Sequence, residues 1–214
     1  MSTRAATLGV AVSRSDRDIG APDQHLWARL READEQALTA LFRRHSDAVY
    51  NFAFRRLSSW SAAEDAVQAT FTSLWRRARS GRIDVLTLES ARPLLLVMAG
   101  HECSNLLRSS RRHLALVDRI TALDRGADEP DPAAAAASRL DDERAMARIR
   151  EVLDEIPAAQ REVVELVVWS ECSMAEAARA LGIPEGTVKS RLARARRALA
   201  TRLDLGNPAL EVSE

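Results

Sequence analysis

The chain has 214 residues, of which 46% are hydrophobic and 29% are charged, and its 31 lysines and arginines balance its 31 aspartates and glutamates. This composition suits one large or two small globular domains and excludes a chain that is disordered throughout. Zero net charge excludes a uniformly basic nucleic-acid coat but not local segregation of charge. Two cysteines are too few for a disulfide scaffold and argue against a CxxC metal site.

The N-terminal sequence MSTRAATLGVAVSRSD has no long apolar segment, so no signal peptide is predicted. No apolar run approaches the roughly 20 residues that cross a bilayer, and a soluble cytoplasmic protein is the default expectation. With only 8 glycines, 7 prolines and no alternating strand pattern, the sequence predicts an all-α fold. We expect two small helical domains joined by a flexible acidic linker.

The first helical block covers residues 23–113 and follows a predicted flexible tail over residues 1–22. Ser61 and Glu64 form a capping-box pattern that predicts the start of its central helix. Apolar residues at helical spacing predict the buried side of that helix and of the helix before it. These residues are Val67, Phe71, Leu74 and Ala78 in the central helix, and Leu38, Leu41, Phe42, Val49, Phe52 and Ala53 before it.

Residues 114–143 form the predicted linker. From residue 124 to residue 143 the chain has seven acidic residues and two arginines. Its prolines favour a linker, while the run of alanines is compatible with a short helix.

The second helical block covers residues 144–204, before a C-terminal tail over residues 205–214. Pro157 suits the first turn of a helix. Ser173 and Glu176 form another capping-box pattern, and Gly182 stands where a glycine ends a helix. A short helix, a tight turn and a longer basic helix predict a helix-turn-helix.

The longer helix contains GTVKSRLARARRAL, with five positive charges and no negative one. If Val188 points inward, small residues lie on the outer face with basic residues beside them, as a helix in a DNA major groove requires. A solvated or protein-binding basic helix is the alternative. The outer residues are Gly186, Ser190, Ala193 and Arg197, flanked by Thr187, Lys189 and Arg194.

The second block resembles region four of bacterial sigma-70 family sigma factors, of the extracytoplasmic-function (ECF) group. The similarity runs through IPAAQREVVELVVWSECSMAEAARALGIPEGTVKSRLARARRAL, and GTVKSRLARAR is its most specific part. The first block independently resembles region two in DEQALTALFRRHSDAVYNFAFRRL, AEDAVQATFTSLWRR and SNLLRSSRR. The resemblance covers roughly residues 23–204 and includes no separate third domain.

The resemblance implies a protein that binds core RNA polymerase, recognises promoter DNA and helps to open it, with no cofactor and no catalytic residues. Region four would read the minus-thirty-five element, and one face of the central region-two helix would bind the polymerase. The implied reading residues are Thr187, Lys189, Ser190, Arg191 and Arg194, with Arg197 added from the helical geometry. The implied polymerase-binding residues are Asp65, Gln68, Thr72 and Arg76.

Region two would also hold the minus-ten element, through the loop 81–88 and the helix 98–112. The predicted minus-ten residues are His101, Asn105, Arg108, Arg111 and Arg112. Here the chain departs from the family pattern, which is similar to WLxxIARNxAxD, whereas this chain has LLLVMAGHECSN. The replacements are Leu94 for tryptophan, Gly100 for arginine, His101 for asparagine and Asn105 for aspartate, and a common glutamate after the polymerase-binding Gln68 is Ala69. These changes bear on the minus-ten preference and on promoter melting.

Several alternatives stay open. The chain could be a stand-alone helix-turn-helix regulator, or a degenerate sigma factor that serves as a protein-interaction module. The linker could enter the polymerase as a nucleic-acid mimic or act only as a tether. The resemblance implies control by a separate anti-sigma factor. His101 and Cys103 are too few for a metal site, and the tryptophans Trp60, Trp75 and Trp169 are predicted to pack in or beside the core.

Overall fold

A computed structural model of the chain describes residues 20–121 and 134–205, and among these residues there is no strand. The all-α fold class is therefore confirmed. A π-helical turn, Glu165–Trp169, follows the sixth helix. The α-helices are α1 (Asp23–Arg31), α2 (Glu35–Leu57), α3 (Trp60–Arg79), α4 (Arg92–Thr121), α5 (Ala134–Asp154), α6 (Ala158–Val164), α7 (Met174–Leu181) and α8 (Glu185–Leu205).

Helices α1 to α4 pack around the apolar stripes that periodicity predicts. Val67, Phe71, Leu74 and Ala78 of α3 are all buried. Phe42 of α2 differs from its prediction, because 42% of it is exposed and its ring meets Phe71 edge-on at 4.9 Å between centroids. Periodicity places a residue on a face but does not determine how far its neighbours cover it.

The start of α3 differs from the capping-box prediction. The hydroxyl of Ser59, not that of Ser61, accepts the hydrogen bond from the backbone N–H of Ala62, so α3 begins at Trp60. A carboxylate oxygen of Glu143 accepts a hydrogen bond of 2.8 Å from the N–H of Trp60. Two backbone N–H groups at the N-terminus of α3 therefore have hydrogen-bond acceptors. One acceptor is the nearby Ser59 hydroxyl, and the other is Glu143 at the C-terminal end of the predicted linker.

The predicted linker, residues 114–143, is helical at both ends, since α4 continues to Thr121 and α5 begins at Ala134. The run of alanines therefore does form part of a helix. Residues 122–133 lie outside the described residues, as do residues 1–19 and 206–214 of the predicted tails.

Helices α5 to α8 form the second helical group and pack against the first. One cluster of buried apolar side chains is continuous across both groups, from Leu26 and Leu95 to Val163, Val188 and Leu192. Contacts between α4 and α7 and between α2 and α5 line this junction. The sides of the two groups that face each other are therefore buried at this junction.

Candidate nucleic-acid and polymerase interface

The helix-turn-helix begins at a complete capping box. The Ser173 hydroxyl accepts a hydrogen bond from the N–H of Glu176 at 3.2 Å, and the Glu176 carboxylate accepts one from the N–H of Ser173 at 2.8 Å. Hydrogen bonds from Ser173 lower the pKa of Glu176, so the carboxylate stays charged near the N-terminus of α7. Gly182 ends α7 with φ +65°, a left-handed conformation that glycine adopts without strain.

Three side chains of α8 fix its orientation. Val188, Leu192 and Ala195 are at most 2% exposed, which places the inner face of α8 as the sequence predicts. Two backbone hydrogen bonds close the turn. The N–H of Ile183 donates to the Ala178 carbonyl at 3.0 Å, and the N–H of Thr187 donates to the Pro184 carbonyl at 2.8 Å. Helix α8 thus packs against α6 and α7 through this inner face.

The outer face of α8 is basic and accessible. Lys189, Ser190, Arg194 and Arg197 are exposed, while Thr187 and Arg191 are half-buried. The Arg194 guanidinium donates to the Ser190 carbonyl at 3.3 Å, which orients it along the helix surface. The structure therefore brings all six predicted residues onto one helix, four facing solvent and two at its margins.

The predicted minus-ten residues lie along α4. Of these, Asn105 donates to the Glu102 carboxylate at 3.2 Å and accepts from Arg108 at 2.6 Å. The other oxygen of Glu102 accepts from Ser73 of α3 at 2.7 Å. Glu102 thus positions Asn105 and Arg108, a role that motif comparison missed. All five predicted residues, His101, Asn105, Arg108, Arg111 and Arg112, are exposed.

The loop 81–88 is attached to α1 through its backbone carbonyls. The Trp27 indole N–H donates to the Asp84 carbonyl at 3.0 Å, and Gln24 donates to the Leu88 carbonyl at 3.1 Å. Leu86 and Leu88 are buried. These contacts hold the loop in a defined position beside α4.

The predicted polymerase-binding residues form one exposed surface on α3. Asp65, Gln68, Thr72 and Arg76 face solvent, and the Arg76 guanidinium donates to the Ser73 hydroxyl at 3.1 Å. The four residues recur every three or four positions, so they share one side of the helix. The opposite side of α3 is part of the buried core.

Arg56 and Glu165 form a buried ion pair that sequence reasoning also missed. Its one signal was an acid within the apolar run VVELVVW. Among the described residues, no group of three or more His, Cys, Asp or Glu side chains is placed to hold a metal ion. In the same part of the chain, no helix has the length and apolar character needed to cross a membrane.

The fold and these surfaces define a class of two-domain helical protein with a helix-turn-helix and a second polar binding face. Sigma-70 region 2 matches residues 41–113, and Sigma-70 region 4 matches residues 146–199. The ECF RNA polymerase sigma factor SigM of Mycobacterium tuberculosis is 32% identical, with 89% of each chain covered. The RNA polymerase sigma factor NccH of Alcaligenes xylosoxydans xylosoxydans is 31% identical, over 81% of this chain and 90% of its own.

A solved structure of CnrH, in complex with the cytosolic domain of CnrY, shares the fold. Its TM-score is 0.60 and its identity 24%, over 86% of this chain and 99% of the CnrH chain. The chain belongs to the ECF sigma factors of the sigma-70 family. It is a sigma factor that binds core RNA polymerase, recognises promoter DNA and promotes the initiation of transcription.

Proposed function

We propose that the outer face of α8 reads the minus-thirty-five element as duplex DNA. Lys189, Arg194 and Arg197 supply positive charge for phosphates and guanine edges, while Ser190 allows close approach to the groove. Thr187 and Arg191 lie at the margins, where they contact the groove walls. The basic, solvent-exposed face of α8 is the observation that carries this proposal.

The minus-ten element is assigned to α4 and the loop 81–88. Arg108, Arg111 and Arg112 meet the phosphates of the separated strand, since exposed arginines on one helix follow a backbone without reading its bases. His101 and Asn105 contact bases. The Glu102–Asn105–Arg108 hydrogen bonds support this assignment, because they hold two of these side chains in fixed positions.

Core polymerase is assigned to the α3 surface of Asp65, Gln68, Thr72 and Arg76. Residues 23–113 then act as region two and residues 144–204 as region four, with the acidic segment between them. A separate anti-sigma factor that covers the α3 surface would keep the protein inactive, as the family resemblance implies. The chain acts in the cytoplasm, where RNA polymerase is found, and has no catalytic activity of its own.

Run-off transcription with purified core polymerase and genomic fragments tests the proposal. We expect specific transcription starts that require the chain and that disappear with the Lys189→Ala/Arg194→Ala double variant. An Arg77→Ala/Arg148→Ala double variant, altered at two exposed arginines of α3 and α5, serves as the control for the loss of two positive charges. Specific starts that persist in the double variant would contradict the role of α8, while core binding without any start would favour the degenerate sigma factor.

A further inference from the structure

Arg56 connects the two helical groups at their junction. It is 7% exposed and forms an ion pair with Glu165, which is 1% exposed and begins the π-helical turn. The other arm of the guanidinium donates to the Ser104 hydroxyl on α4 at 2.8 Å. A single side chain of α2 thus ties a helix of the first group to a turn of the second.

Four other polar contacts between described residues cross the junction and are of a different kind. They are exposed or half-buried hydrogen bonds, which water can replace on separation at little cost. Removing the Glu165 carboxyl group leaves the buried Arg56 guanidinium without its ion-pair partner in the closed arrangement, which is far more costly. The replaceable contacts are Arg55 to Trp169, Arg150 to Leu57, Trp60 to Glu143 and Arg179 to Thr87.

Gly100 faces the same junction. A Cβ atom built on Gly100 would lie 3.5 Å from the Arg56 guanidinium and 3.7 Å from the ring of Phe52. A methyl group would therefore fit, whereas the arginine of the family pattern would bring a second cation against Arg56. The glycine at this departure from the pattern leaves room for the ion pair with Glu165.

A closed chain is too small to engage both promoter elements. Their names place them roughly 25 base pairs apart, which is about 85 Å of duplex. A compact protein of about 200 residues is only about 40 Å across. If α4 and α8 have the DNA-reading roles proposed above, on which this inference rests, the two groups must separate before both elements are bound.

We propose that Arg56, Glu165 and Gly100 form a latch that docks the second helical group on the first and controls their separation. The surface of Asp65 and Gln68 stays exposed in this closed form. Polymerase can therefore bind region two before the latch opens.

Small-angle X-ray scattering of the full chain, without any partner, tests the latch. Glu165→Lys places a cation against Arg56, and Gly100→Arg does so from α4. Both are expected to raise the radius of gyration by at least about 3 Å above the roughly 17 Å typical of a compact chain of this length. Glu151→Lys makes the same charge change at an exposed position of α5, and Gly100→Ala adds only a methyl group. Both controls are expected to scatter like the unchanged protein.

Circular dichroism separates opening from unfolding, since an opened chain keeps its helical signal. An unchanged radius in both Glu165→Lys and Gly100→Arg, with helical signal retained, would overturn the latch. So would equal expansion in the Glu151→Lys control. Neither result depends on polymerase or DNA. A different combination of results would refute the proposed function alone. In that case the wild-type chain is compact and both variants open, but the wild-type chain directs no specific transcript.

Discussion

The carboxylate of Asp23 lies 2.8 Å from Nε2 of His45, and both side chains are buried. The same carboxylate accepts hydrogen bonds from the N–H of Ala91 at 2.7 Å and from the Ser90 hydroxyl at 2.9 Å. Arg44 completes the group, 2.5 Å from the other carboxylate oxygen. The first residue of α1 thereby joins α1, α2 and the start of α4.

Asp23→Asn is expected to lower the free energy of unfolding by about 3 to 5 kcal/mol, as the loss of one partner from a buried ion pair does. Burial by itself would raise the pKa of Asp23, but the hydrogen bonds from His45 and Ala91 outweigh it and hold the pKa well below its usual range. The stabilisation is therefore present above the ordinary pKa of 3.8 and is lost as the pH falls below it.

Urea unfolding at pH 7 measures this effect. Asp47→Asn, at an exposed position of α2, is the matched control and should change stability by less than about 0.5 kcal/mol. Equal stability of the Asp23 and Asp47 variants would refute the central role of Asp23.

Stability should fall as the pH rises from 5 to 8, because burial raises the pKa of Glu165 to about 7 against the opposing charges of Arg56 and Arg161. When the pKa of an acid is higher in the folded state than its ordinary value of 4.5, protonation of that acid stabilises the folded state. This stabilisation is complete below pH 4.5 and is lost as the pH rises through 7. The expected decrease is about 2 to 3 kcal/mol.

Urea unfolding of the Glu165→Gln variant across the same pH range isolates this contribution, which should be absent there. The ionisable groups facing Glu165 or lining the same pockets come from α2, α4, α5 and α6. His101→Gln removes an exposed histidine that lines a pocket with Glu165, so this variant is the control and should keep the wild-type slope. A slope that survives in Glu165→Gln would refute the assignment. These groups are Arg56, His101, Cys103, Arg108, Arg111, Arg150, Asp154, Arg161 and Glu162.

The N-terminal cap of α3 yields a direct comparison of two serines. Ser59→Ala removes the hydroxyl that accepts from Ala62 and should cost about 1 kcal/mol. Ser61→Ala removes a hydroxyl that is exposed and only contacts that of Ser59, at 3.3 Å, so a change below about 0.5 kcal/mol is expected. Thermal unfolding of both variants decides between them, and a larger loss in the Ser61 variant would restore the capping box predicted from sequence.

Gln68→Ala is expected to weaken core polymerase binding at least about tenfold, as truncation at the centre of an interface does. Gln68 is exposed on α3, so the melting temperature should stay unchanged. Fluorescence-monitored titration of labelled protein with core polymerase gives the affinity. Asp47→Ala, on α2, controls for general loss of surface polarity, and equal affinity of both variants would place the polymerase contact elsewhere.

The helix-turn-helix was predictable from local sequence. Ser173, Glu176 and Gly182 act through hydrogen bonds and backbone conformations within a few residues, so sequence spacing alone sets the ends of α7. The two faces of α3 follow similarly from periodicity, which places Val67 and Phe71 inside. The predicted DNA- and polymerase-facing residues lie on these helices because an amphipathic helix determines its outer face as well as its inner one.

The junction between the helical groups was decided by tertiary structure alone. Arg56 and Glu165 are 109 residues apart, and no local pattern relates one residue to the other. Their pairing depends on how α2, α4 and the π-helical turn pack, and on the space left at Gly100. Sequence thus determined the helices and their exposed faces, through interactions that span a few residues. Packing determined which buried charges meet, because burial makes an unpaired charge costly wherever its partner lies in the chain.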